Sequence, residues 1–289
     1  MNLLEVCRLV DAALTEDIGS GDLTTESVVS PDAAADGKLI ARSKGVVAGI
    51  PVAGLCFRRL DSRVDFEQRI ADGTRVSRNR ILARVSGPAA SILQAERVAL
   101  NFVQRLSGIA TLTAAFVNAA ADYPVRILDT RKTTPGLRML EKYAVRVGGG
   151  SNHRLGLDDG ILIKDNHLKM QASGPGAIEA AVAAAKTAAG YLKRVEVEAE
   201  TLEQVEEAVR AGADAILLDN MNVKTLKRAV DIVRRSKKAI LLEASGNVTV
   251  RNVGKIAATG VDAISVGALT HSAPALDIAL EIALEIRSA

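Results

Sequence analysis

Cations and carboxylates recur along this chain in a sequence that could handle an anion and a cation side by side. Asp129-Thr130-Arg131-Lys132 comes first, then Ser151-Asn152-His153-Arg154 behind the triple glycine Gly148-Gly149-Gly150, then Lys164-Asp165-Asn166-His167. Glu196 and Glu198, Asp219-Asn220, Glu243-Ala244-Ser245-Gly246 and Gly267-Ala268 follow. The early groups are rich in cations and the later ones in carboxylates. A site split in that way suits an anionic substrate beside a metal-bound or hydroxyl-rich one.

Taken singly, each group has a plainer explanation. Arg131 and Lys132 could be solvated, as such side chains usually are. His153 could be an interior histidine with its hydrogen bonds satisfied, and Glu198 and Asp219 could cap helices. The three glycines do not match a dinucleotide fingerprint. Shared location shifts the balance: apart from the group behind the glycines, these residues lie at the ends of short apolar runs that read as neighbouring strands, where gathered charges would repel or desolvate one another unless something offsets them.

Those runs are VRILDT (125–130), GILIKD (160–165), VEVEAE (195–200), AILLDN (215–220), AILLEAS (239–245) and AISVG (263–267). Helical patterns separate the later ones: TLEQVEEAVRAG, NVKTLKRAVDIVRRS and TVRNVGKIAATG. Glu243 follows Asp219 by 243 − 219 = 24 positions, a spacing that admits strand, helix, strand and so a parallel sheet. Parallel β/α folds bind ligands at the carboxyl ends of their strands, where these polar groups fall. About six strands are counted, fewer than a complete barrel has, and periodicity alone leaves a reduced barrel and an open sheet both in play.

The first hundred residues differ. GKLIARSKGVVAGI and VDFEQRIADGTRVSRNRILARVSG are Gly-broken, β-like runs, and SILQAERVALNFVQRLSGIATLTAAFVNAAA is a long helical pattern. The final segment, ALDIALEIALEIRS, reads as an amphipathic helix that returns toward the first domain. The expected division is a small α+β domain over residues 1–108, joined by residues 270–289, and a β/α domain over 109–269.

Composition sets the outer limits. At 289 residues, 48% hydrophobic and 25% charged, the chain is an ordinary globular protein; aromatics at 2% leave an aliphatic core suited to helices on a buried sheet. A net charge of +3 is too small to argue for nucleic acid. Cys7 and Cys56 lack metal-ligand spacing. The N-terminus carries Glu5, Asp11, Glu16 and Asp17 on an amphipathic helical pattern unlike a signal peptide, and no run of about 18 apolar residues suggests a membrane span. A cytoplasmic protein is expected.

Together ERVALNFVQRLSGIAT, LDTRKTTPGLRMLEKYAVRVGGGSNHRLGL, ILIKDNH, VEVE, AILLDN, LEASGN and AISVGALTHS resemble the quinolinate phosphoribosyltransferase family, and EDIGSGDLTT fits as well. The resemblance covers nearly the whole chain in the expected order. The succession TRKT, GGxxNHR and KDNH is highly specific. One departure is Ala244, where a second serine is common before Ser245; the Ser-Gly pair itself is intact.

The resemblance implies an α/β protein: an irregular parallel β/α barrel of six or seven strands with a smaller N-terminal α+β sandwich-like domain. It also implies a homodimer or dimer-based hexamer with shared active sites. The reaction would join quinolinate to phosphoribosyl pyrophosphate, with magnesium, giving nicotinate mononucleotide, pyrophosphate and carbon dioxide in NAD biosynthesis. Arg131, Arg154 and Lys164 would bind the acceptor's two carboxylates, with His153 beside them and Arg97 supplied by the neighbouring subunit. Thr130 belongs to the same motif, and Lys132 would lean toward the donor's phosphates. Glu198 and Asp219 would hold magnesium and ribose hydroxyls. Ser245-Gly246-Asn247 and Gly267-Ala268 would cradle phosphate. Alternatives are a paralogue acting on another aromatic acid, a nicotinate-using relative, and a non-catalytic barrel.

Overall fold

A computed structural model describes residues 2–170 and 176–284. The chain divides into two compact units, one formed by Met1–Ala114, Thr133–Gly149 and Leu269–Ala289, the other by Ala115–Lys132 and Gly150–Ala268.

The first unit is built on an antiparallel sheet. Its strands are β1 (Ala34–Ala41), β3 (Asp65–Gln68), β5 (Ile81–Pro88) and β12 (Ile278–Leu284), in the order β12-β1-β5-β3, with β2 (Gly45–Val46) and β4 (Arg75–Val76) paired separately. Along β1, Ala35, Gly37 and Leu39 are buried while Asp36 and Lys38 are exposed, the alternation of a half-buried strand. Helix Leu3–Ile18 buries Val6, Val10 and Leu14 at helical spacing. Phe57 of helix Ile50–Leu60 stacks on Phe66 of β3 at 5.7 Å between centroids.

The final segment departs from its expected helix. Ile278–Leu284 is a strand, paired antiparallel with β1 from Ala41↔Ile278 to Ala35↔Leu284. Ile278, Leu280, Ile282 and Leu284 alternate with Ala279, Glu281 and Ala283. Because alanine counts as apolar, the run fits both periods, and pairing with β1 settles it as a strand. Residues 285–289 of that segment lie outside the described residues.

A buried ion pair ties three stretches of this unit together. Glu141, fully buried, accepts from Arg105 Nη2 at 2.8 Å and Nε at 3.2 Å, and from the Thr134 hydroxyl at 2.8 Å and backbone N–H at 3.1 Å. Arg105 also donates to the carbonyls of Thr270 and Ala273. Removing one partner would leave a buried charge unpaired, so Glu141→Ala is expected to destabilise the protein by about 3–5 kcal/mol, read from urea unfolding. Gly148 has a packing reason: a Cβ there would lie 2.5 Å from the Ala110 carbonyl and 2.7 Å from Thr113 Cβ. The first glycine of the triplet permits close approach to helix Ala89–Ala119.

The second unit holds six parallel strands: β6 (Arg126–Leu128), β7 (Ile161–Ile163), β8 (Val195–Ala199), β9 (Ala215–Asp219), β10 (Leu241–Ser245) and β11 (Ala263–Ser265), ordered β6-β11-β10-β9-β8-β7. Ser151 adds a one-residue parallel bridge beside Leu128, a seventh position outside β6. The six strands and this bridge make an irregular β/α barrel. Connecting helices form where the sequence supplies caps. Thr201 and Gln204 make a capping box for Leu202–Ala211, which stops at left-handed Gly212, and Asn222 caps Val223–Arg235. The third helical pattern shrinks to Val253–Ala257, because Thr249 and Asn252 exchange backbone–side-chain bonds in a turn instead.

Candidate active site

On β8, Val195, Val197 and Ala199 are fully buried, which turns Glu196 and Glu198 to the opposite face. Glu198 is in register with Leu217, which is in register with Glu243, and Asp219 is in register with Ser245. Parallel pairing thus collects the acidic strand positions on one face of the sheet.

Asp219 and Glu198 meet near the strand ends. Carboxylate oxygens of Glu198, Glu200 and Asp219 lie within 4.8 Å of one another. Burial, then the charge of Asp219, pushes the Glu198 carboxyl up from its ordinary value, and Lys164 pulls it back. Lys164 directly follows β7, and its N–H donates to His167 Nδ1 at 2.9 Å. His167 therefore shapes the backbone of the KDNH segment.

Beside them, Asn220 links two strand ends. It adopts a left-handed φ of 53°, and its amide donates to Asp219 Oδ2 at 2.7 Å. Its side-chain oxygen accepts from Asn247 Nδ2 at 3.2 Å, and its backbone N–H bonds the Ser245 carbonyl at 2.9 Å. Gly246, at φ 98°, lies so close that a Cβ would sit 2.1 Å from Asn220 Oδ1. Only glycine leaves room there beside the Asn220 side chain. Gly267 and Ala268 follow β11, where a four-residue helical turn begins.

The cationic side is held from below. Asp129, fully buried at the end of β6, accepts from the His153 N–H at 3.0 Å and from the Asn152 amide. The Thr130 hydroxyl accepts from the Lys132 N–H at 3.0 Å, turning the chain so that Arg131 is half-buried and Lys132 exposed. Arg154 Nη1 donates to the Gly160 carbonyl at 2.9 Å. Burial, and then the positive charge of Arg131, holds the Arg154 guanidinium below its usual value, offset in part by Glu196.

His153 is half-buried against acids. Its Nε2 lies 3.1 Å from Glu196 Oε2 and 3.5 Å from Glu243 Oε2. Burial, then Glu196, pushes the Glu243 carboxyl up. Glu196, Glu243 and Asp129 were visible as strand-end acids, yet only tertiary structure connects them to His153. Of the residues expected in the site, Thr130, Arg131, Lys132, His153, Arg154, Lys164, Glu198, Asp219, Ser245, Gly246, Asn247, Gly267 and Ala268 belong to the second unit. Arg97 lies in the first, exposed on helix Ala89–Ala119.

The comparisons with known proteins agree along the chain. Models of the N-terminal and C-terminal domains of quinolinate phosphoribosyl transferase match residues 22–107 and 109–281. The chain is 44% identical over 288 residues to the probable nicotinate-nucleotide pyrophosphorylase (carboxylating) of Bacillus subtilis, covering 100% of this chain and 97% of that one. It is 42% identical over 304 residues to the mitochondrial quinolinate phosphoribosyltransferase (decarboxylating) 2b of Nicotiana tabacum, covering 99% and 83%. The solved nicotinate-nucleotide pyrophosphorylase of Francisella tularensis superposes with a TM-score of 0.91 at 40% identity, covering 98% of each chain. With both domain models matched in order and relatives aligned across its length, the chain belongs to the quinolinate phosphoribosyltransferase family.

Proposed function

We propose that this protein transfers phosphoribosyl from phosphoribosyl pyrophosphate to quinolinate with loss of carbon dioxide, supplying nicotinate mononucleotide to NAD biosynthesis. The observation that carries this reading is the Arg154 guanidinium, held below its usual value by burial and then by the charge of Arg131, in the same unit as Lys164 and the Glu198–Asp219 pair. A dicarboxylate relieves that repulsion, and planar guanidiniums suit carboxylates better than lysine does.

The donor half has the opposite chemistry. Glu198 and Asp219, with Glu200 close by, offer an all-oxygen donor set whose mutual repulsion a hard cation offsets, so the residues fit magnesium. When bound, magnesium neutralises charge on the departing pyrophosphate. Asp219 and Glu198 also serve as acceptors for ribose hydroxyls, while backbone N–H groups around Gly246 and Gly267 suit the phosphate.

The pyridine nitrogen attacks the anomeric carbon as the carbon–oxygen bond to pyrophosphate breaks. The resulting ring nitrogen is positively charged and withdraws electrons from the adjacent carbon. The bond from that carbon to its carboxylate then breaks, carbon dioxide leaves, and the electron pair stays on the ring until a proton is taken up. A nearby cation, Lys132 or Lys164, stabilises that pair. The protein contributes position and preorganised charge throughout.

Incubation with quinolinate, phosphoribosyl pyrophosphate and magnesium, followed by chromatography for nicotinate mononucleotide and detection of carbon dioxide, tests the reading. Turnover of nicotinate or another aromatic acid in place of quinolinate would overturn it. Among the described residues no helix is long and apolar enough to cross a membrane, and a cytoplasmic enzyme fits this reading.

The assembly belongs to the same proposal: a homodimer or dimer-based hexamer in which Arg97 of one subunit serves the site of its neighbour. Mixed dimers of inactive Arg97→Ala and inactive Lys164→Ala subunits are then expected to regain activity, because one site per dimer keeps both residues. Verified mixed dimers without recovery would exclude sharing.

A further inference from the structure

Glu196 and Glu243 belong to neither the acceptor's cations nor the donor's carboxylates, yet their side chains are only 12% and 7% exposed. Burying two carboxylates together is costly unless they are hydrogen-bonded, and an apolar core would be cheaper. They converge on the His153 ring, at 3.1 Å and 3.5 Å from its Nε2. The opposite ring nitrogen, Nδ1, accepts from the Arg154 backbone N–H at 2.7 Å. That bond leaves the ring proton on Nε2, directed at Glu196. On the intervening β9, Glu196 is in register with Ala215 and Glu243 with Leu217, so the two acids lie on the same face of the sheet, one alternate position apart.

The same segment is fastened at every residue. Ser151 bridges to β6, Asn152 and His153 bond the buried Asp129, and Arg154 bonds the Gly160 carbonyl. The His153 ring is the fastening that runs to Glu196 on β8 and Glu243 on β10. We infer that Glu196 and Glu243 are positioning residues for the acceptor: they seat the His153 imidazole and thereby hold the Arg154 guanidinium in the one orientation that meets an acceptor carboxylate. The inference rests on the quinolinate reading for the identity of the acceptor.

Glu196→Ala removes the seat, whereas Glu196→Gln keeps an oxygen to accept the Nε2 proton. In the full-length enzyme, Glu196→Ala is expected to raise the quinolinate KM about tenfold or more with the phosphoribosyl pyrophosphate KM little changed, and Glu196→Gln to recover most of the loss. The 15N spectrum of the His153 ring is expected to report a single Nε2–H tautomer in the wild type and a mixture in Glu196→Ala. A purely structural role would not move that signature. An unaltered ring spectrum with an unaltered quinolinate KM, or equal rises in both KM values, would overturn the inference. If Glu196→Ala folds poorly, Glu243→Gln carries the same test with a smaller shift in the same direction, and its absence counts equally against the seat. A wild-type protein inactive on quinolinate would sink only the parent reading, because the ring spectrum still decides whether the seat exists.

Discussion

Arg131→Ala and Arg154→Ala are each expected to weaken quinolinate binding by about 100-fold or more while leaving donor binding nearly unchanged. The magnitude follows from burial and from charge. Both guanidiniums are half-buried, and Arg154 is already held below its usual value, first by desolvation and then by Arg131. A dianion bound between them gains two charge-assisted contacts in a site where water competes poorly. Removing one arginine strips an acceptor carboxylate of its partner. Removing Arg131 also frees Arg154 from its charge in the empty protein, which lowers the gain on binding further. Lysine is expected to rescue only in part, since it cannot present a planar pair of donors. Titration calorimetry with quinolinate, and separately with phosphoribosyl pyrophosphate and magnesium, measures both affinities. Equal loss for the two substrates would mean that these arginines serve the site as a whole rather than the acceptor.

The sequence displayed the chemistry of this site better than its supports. Strand ends at Asp129, Lys164, Glu198, Asp219 and Ser245 were legible because a parallel sheet puts ligand groups after short apolar runs, and each run here is bounded by polar residues. In the structure the alternation over residues 195–199 places Glu196 and Glu198 on one face. The sequence could not distinguish them, since identical residues two apart look the same in sequence. Only the position of His153 separates an acid that seats an imidazole from one that pairs with Asp219. The Ser151 bridge was invisible because one residue has no period. Strand β12 was misread for a related reason: alanines at 279 and 283 complete an apolar helical stripe as well as a strand, and the deciding partner, β1, is more than 200 residues away. Asn220 and Asn247 carry positive φ that glycine would more often supply, and their side-chain bond to each other explains how the two turns are stabilised.

The donor half yields the other large effect. Glu198→Gln and Asp219→Asn are expected to lower kcat/KM for phosphoribosyl pyrophosphate by about 1,000-fold, near 4 kcal/mol of transition-state stabilisation. Each substitution preserves shape and an oxygen but removes the charge that a magnesium ion and the developing positive charge on the ribose both need. The effect on quinolinate has the opposite sign. Burial and Asp219 raise Glu198 while Lys164 stabilises its ionised form, so Glu198 in turn spends part of the Lys164 charge. With glutamine at 198, Lys164 is released toward the acceptor, and quinolinate affinity is expected to hold or to tighten. Magnesium titrations add a second check: both variants should need higher magnesium for half-maximal rate, and in the Asp219→Asn variant the bond that Asn220 Nδ2 now makes to the 219 carboxylate should weaken, because a neutral amide oxygen replaces a charged one. That amide also steadies Asn247 across the gap to Gly246, so loosening it is expected to raise the donor KM beyond what charge removal alone predicts, with no matching change for quinolinate. A fall in quinolinate affinity alongside donor affinity would instead mean that the two halves are not electrostatically opposed, and the division of this site into cationic acceptor and acidic donor sides would fail.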